Sequence, residues 1–116
     1  MSSTTEVLDR HLKCFGEGDL AGLLADYAPD AVLFTQNGTL RGPDAMRPFF
    51  QAVMAEFGRP GTTFNMTLRD IVGEFAYFIW TAETADNVYE MATDTFTVRN
   101  GKIACQSFAA KIVPKR

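Results

Sequence analysis

The chain has 116 residues, almost half of them hydrophobic and 12% aromatic, with 11 Lys and Arg against 14 Asp and Glu, for a formal charge of -3. That length suits a single domain, residues 1–116, whose core needs neither disulfide nor metal. With no basic cluster beyond the terminal PKR, nucleic acid is excluded as an expected partner. No apolar run nears the roughly 20 residues of a bilayer span, so no membrane partner is expected. The opening MSSTTEVLDR lacks a charged stretch followed by an apolar one, so the expected location is cytoplasmic.

Ser3 and Glu6 form a capping box, after which Val7, Leu8, His11, Leu12 and Phe15 recur at helical spacing until Gly16 and Gly18. The opposite stripe is charged, and Asp9 and Lys13 are spaced for an i,i+4 pair. Asp19 can cap a short second helix, LAGLLADY, with Leu20, Leu23, Leu24 and Tyr27 on one side before Pro29 ends it. DAVLFTQNGTLRG then predicts a strand, an Asn37-Gly38 turn and a short return.

Pro43 opens a third helix, whose apolar stripe is Met46, Phe49, Phe50, Val53, Met54 and Phe57; Gly58 and Pro60 close it. Pro48, inside it, has no N–H to return to Asp44, which predicts a kink or a loosened turn. Four strand-like runs follow, joined by turns at Val72-Gly73-Glu74, Ala85-Asp86-Asn87 and Asn100-Gly101. Helices first and hairpins last is the α+β pattern. In the run TDTFTVRNGKI, alternation puts the acid Asp94 on the apolar face with Phe96 and Val98, where an unpaired charge is costly.

The opening helices ending in GEGDLAGLLADYAPDAVLFTQNG, then RGPDAMRPFFQ, then the closing TDTFTVRNGKI, resemble the nuclear transport factor 2-like superfamily, in its SnoaL-like and ketosteroid isomerase-like branch. The resemblance runs over nearly the whole chain. It implies a cone-shaped, strongly curved antiparallel sheet wrapped around three N-terminal helices and enclosing a mostly apolar pocket. It also implies a homodimer paired through the sheet, and no cofactor. Isomerases, dehydratases and cyclases share this fold with proteins that only bind partners, so function must come from the site.

Ketosteroid isomerase, a member of that branch, uses an aspartate base and an oxyanion hole of a tyrosine and a protonated aspartate. By resemblance the oxyanion-hole aspartate falls on Asp94, the tyrosine on His11, and the base on Thr35, which cannot act as a base at neutral pH. His11 and Asp94 are thus the candidate catalytic residues. Within hydrogen-bond reach, Asp94 would orient His11 as a general acid/base. Held apart, Asp94 would have a raised pKa and serve as a neutral donor to a ligand oxygen.

Tyr27, Phe50, Met54, Phe57, Trp80 and Phe108 are expected in the apolar wall, with Thr35 and Gln106 as polar groups within it. Trp80 needs a partner for its indole N–H. Glu90 shares the parity of Asp94 but is expected at a wet rim. Cys14 and Cys105, with one histidine in the chain, make no zinc pattern and are expected as small reduced core residues. The expected ligand is small and hydrophobic or carbonyl-bearing. The expected chemistry is cofactor-free proton transfer next to a carbonyl (isomerisation, dehydration or cyclisation); the alternative is a non-catalytic binding or dimerisation module.

Overall fold

The computed structural model describes residues 3–115. Helices α1 (Thr4–Glu17), α2 (Leu20–Leu24) and α3 (Pro43–Phe57) pack on one face of a curved, unclosed sheet of β1 (Tyr27–Thr35), β2 (Gly38–Arg41), β3 (Thr63–Val72), β4 (Phe75–Glu83), β5 (Asn87–Arg99) and β6 (Lys102–Pro114). The order is β2-β1-β6-β5-β4-β3. Every pairing is antiparallel except β1 with β6, which the expectation of an antiparallel sheet did not foresee.

The capping box forms as the sequence predicts, with Ser3 and Glu6 satisfying each other's backbone N–H. α1 ends at Gly18, whose φ of 72° is open to glycine without a Cβ penalty. Asp9 does not pair with Lys13. It binds Arg69 of β3 across 2.6 Å, which ties the wet side of α1 to the sheet. α3 runs through the exposed Pro48 as one helix, with Pro43 at its first turn.

The second helix is shorter than its spacing predicts. It stops at Leu24, and Tyr27 begins β1 instead, opposite Ile103 of β6. The Ile103 N–H donates to the Asp26 carbonyl at 2.8 Å, a bond that holds the chain extended here. Pro29 then falls in the irregular stretch between Tyr27 and Val32, where the ladder needs no N–H from it.

Alternation along β4 and β5 builds the core. Ala76, Phe78, Trp80 and Ala82 point inward from β4, and Tyr89, Ala92, Phe96 and Val98 from β5. They meet Val7 and Leu8 of α1, Leu23 of α2, and Met46 and Phe50 of α3. Full burial of a side chain of the size of Phe78 or Leu8 contributes about 1.5–3 kcal/mol. Cys14 joins this core and Cys105 is partly covered; both are free thiols. The register places Phe78, Asp94 and Phe108 side by side across β4, β5 and β6, so the acid shares one row with two rings.

Candidate functional site

The curvature of the sheet leaves a cavity of about 220 Å³ between its inner face, α1 and α3. It could hold about seven waters, and it lies below the roughly 300–1,000 Å³ of drug-sized pockets. A ligand of one or two rings suits it better than one of four. His11, Phe78, Phe96 and Gln106 form its buried floor, while Gln36, Asn37, Phe64 and Ile112 stand at the exposed mouth. Phe50, Phe57 and Phe108 line the space without filling it.

The two catalytic candidates both face this cavity but do not bond each other. Gln106 stands between them. Its amide nitrogen donates to Asp94 Oδ1 at 2.9 Å, and its amide oxygen accepts the Tyr27 hydroxyl. The Tyr27 oxygen lies 3.5 Å from His11 Nε2. On the other side of the acid, the Trp80 indole N–H donates to Asp94 Oδ2 at 2.8 Å. Of the two arrangements left open by the sequence, the structure has the separated one.

Each pKa follows from this geometry. Burial raises that of Asp94, and the Trp80 and Gln106 donors work against the rise by favouring the anion. Burial lowers His11 to about 4, so the imidazole is neutral. Burial, with the charges of Asp94 and Asp26, pushes the Tyr27 hydroxyl well above its ordinary range. The Asp26 carboxylate lies 3.9 Å from His11 Nδ1, too far for a hydrogen bond, and is engaged by Arg10 Nε at 2.7 Å. His11 Nδ1 and Asp26 Oδ2 are left without partners.

The other expected residues divide clearly. Thr35, Phe50, Phe57, Trp80, Gln106 and Phe108 line the cavity. Met54 does not; it packs against the core from its half-buried place on α3, where the neighbouring Val53 takes the lining position. Tyr27 is also behind the wall, its ring packed on His11 and Phe50 and its hydroxyl bonded into the site. Thr35 is at the rim, its hydroxyl donating to Gly38 O at 2.8 Å and accepting from Asn37 N at 3.1 Å, so it serves the turn. Glu90 is exposed and pairs with Lys111 at 3.2 Å.

Sequence reasoning missed Asp26, which periodicity had placed on a helix. It also missed Glu56 of α3, whose carboxylate accepts from Thr84 Oγ1 at 2.6 Å, Asn87 Nδ2 at 2.9 Å and Tyr89 Oη at 3.0 Å. This clasp fixes the end of α3 against the β4–β5 turn and sets Tyr89 in the pocket wall. Burial and the bond to Glu56 push the Tyr89 hydroxyl up. No local motif marks either acid, because their partners lie far off in sequence.

A family profile for the SnoaL-like domain matches residues 8–106. The chain belongs to the SnoaL-like domain family. Solved structures share the fold. A nuclear transport factor 2-like protein of unknown function from Mesorhizobium loti superposes with a TM-score of 0.78 at 23% identity, covering 93% of this chain and 90% of that one. A similar protein of unknown function from Cytophaga hutchinsonii gives 0.78 at 7% identity, covering 96% and 92%. A Sinorhizobium meliloti protein provisionally named a polyketide cyclase gives 0.71 at 18% identity, covering 88% and 92%. Among curated proteins none matches this SnoaL-like chain.

At these identities the likeness establishes fold alone. Among the described residues of this SnoaL-like domain, no three His, Cys, Asp or Glu side chains are grouped so as to hold a metal ion, and no helix is long and apolar enough to cross a membrane.

Proposed function

We propose that this SnoaL-like domain binds a small, mostly apolar, carbonyl-bearing ligand in the cavity and that Asp94 takes and returns a proton there, in cofactor-free isomerisation, dehydration or cyclisation. The observation that carries this reading is the place of Asp94, a desolvated carboxylate at an apolar floor with one N–H donor on each oxygen. Each oxygen keeps a free lone pair for a ligand proton. A base of raised pKa is closer in strength to a carbon acid beside a carbonyl, which is what proton transfer requires. His11, neutral and backed by Asp26, then positions Tyr27 and Gln106 behind the acid.

One observation favours a second reading, that of a non-catalytic binding module. Both Asp94 oxygens are already engaged by protein donors, and the Thr35 hydroxyl is taken up by its turn. Hydrogen–deuterium exchange at the α-carbons of small cyclic ketones in D2O, followed by NMR, separates the two. The catalytic reading expects exchange above the buffer rate with the wild type and a loss of at least tenfold in Asp94→Asn. Equal rates for both proteins, with ketone binding retained, leave the binding module.

In either case we take the molecule to be a dimer paired through the outer sheet face. Support comes from the exposed Leu68, Val72, Phe75 and Tyr77, set beside a threonine row on β5 with no helix covering them.

A further inference from the structure

The charge in the pocket is one-sided. Among the described residues, its lining holds the carboxylate of Asp94 and no lysine or arginine. The titratable groups packed around Asp94 are His11 from α1, Tyr27 from β1 and Tyr89 from β5, none of which is cationic while the imidazole is neutral. The nearby cations are engaged elsewhere: Arg10 holds Asp26, and Arg69 lies over the Phe78 ring while bonded to Asp9. A buried carboxylate is usually met by a cation, because donors alone compensate only part of its lost hydration. Asp94 has its two donors and lacks the counter-charge.

The walls around that acid are aromatic, and Trp80 turns its N–H edge to Asp94. Phe108 lies nearly parallel to Trp80, 17° from coplanar with centroids 6.2 Å apart. Phe64, Tyr89 and Phe57 stand with centroids 5.3, 5.6 and 5.9 Å from Trp80. Aromatic faces attract a cation through their quadrupoles, and most strongly where water is excluded. A carboxylate inside such a cage suits a charge wrapped in carbon, whereas a carboxylate or phosphate ligand would meet only repulsion.

We propose that the cavity takes a small organic monocation, an amine or quaternary ammonium with carbon substituents, its charge against Asp94 and its carbon envelope against the rings around Trp80. This rests on the reading of the cavity as the ligand site and not on the proton-transfer step. A simple amine satisfies this reading alone, since a cation against Asp94 lowers the basicity that the proton-transfer step uses.

Trp80 is the only tryptophan in the chain, so its fluorescence reports on the site. The full chain would be titrated at pH 8 and fixed ionic strength with phenyltrimethylammonium, its uncharged isostere tert-butylbenzene, and benzoate. The cation is expected to bind at least tenfold more tightly than tert-butylbenzene, with no saturable binding of benzoate. In Asp94→Asn the preference should shrink below threefold, and in Phe108→Leu the cation should lose more affinity than the isostere. Wild-type protein alone decides the matter should a variant fail to fold. Tighter or equal binding of tert-butylbenzene overturns the cation proposal and leaves the pocket as a ligand site. No binding of any of the three overturns the proposal and the ligand-site reading together, whereas absent ketone exchange beside a strong cation preference sinks only the catalytic step.

Discussion

The Trp80 indole N–H donates to Asp94 Oδ2 across 2.8 Å, from the neighbouring strand and along the same inner face of the sheet. One residue pair thus answers two needs of the sequence, an acid aimed inward and an indole wanting an acceptor. A hydrogen bond to a charged group is worth about 1.5–3 kcal/mol. Trp80→Phe keeps a ring in the wall but removes the donor. It should destabilise the fold by about 1–3 kcal/mol in urea unfolding and raise the Asp94 pKa further.

His11 makes stability depend on acid. Its folded pKa lies at about 4 against about 6.5 for a solvated imidazole, so the unfolded chain takes up this proton first as the pH falls. The stability due to the neutral imidazole is complete above 6.5 and is lost between 6.5 and about 4, by up to about 3 kcal/mol. Asp94 acts in the opposite sense, since a raised carboxyl pKa favours the folded state as the pH falls. Urea unfolding at stepped pH should show a shallower loss over this window in His11→Gln than in wild type.

The clasp at Glu56 predicts a stability effect with a local consequence. Glu56→Ala leaves the buried Thr84 hydroxyl with only the long 3.5 Å contact to Asn87 O and frees Tyr89 in the pocket wall. The loss should be about 2–4 kcal/mol, read as a lower Tm. Trp80, whose ring lies beside Tyr89, should change its emission in the same variant.

The outer sheet face makes a prediction about assembly. Tyr77 is exposed there beside Phe75 and the Thr95 row, with Asp70 as its partner on β3. Tyr77→Lys would put a charge into a paired face and leave the core untouched. Sedimentation should show a dimer for the wild type and a monomer for the variant at equal Tm; a monomeric wild type contradicts the paired sheet.

What could be read from the sequence was local. The capping box, the α3 stripe, the Asn100-Gly101 turn with both φ angles positive, and the inward parity of Asp94 all rest on neighbours a few residues apart. What could not be read was set by distant pairing. Tyr27 and Asp26 left their helix because β6, some 77 residues on, captures that stretch in parallel register. Met54 and Val53 both suit a half-buried helix face, and only the line of the sheet opposite decides which reaches the cavity. Gln106 likewise carries no sequence sign that it would come between His11 and Asp94.

The most direct test is the titration of the Asp94 side-chain carboxyl by 13C NMR, with and without phenyltrimethylammonium. A desolvated acid at the floor of a ligand pocket should titrate above the usual aspartate range in the free protein. On saturation with the cation, its midpoint should fall by a unit or more on the order of the effect of a neighbouring opposite charge. A midpoint at or below the ordinary aspartate value, unmoved by the cation and by small ketones alike, would contradict the assignment of Asp94 as the centre of the site.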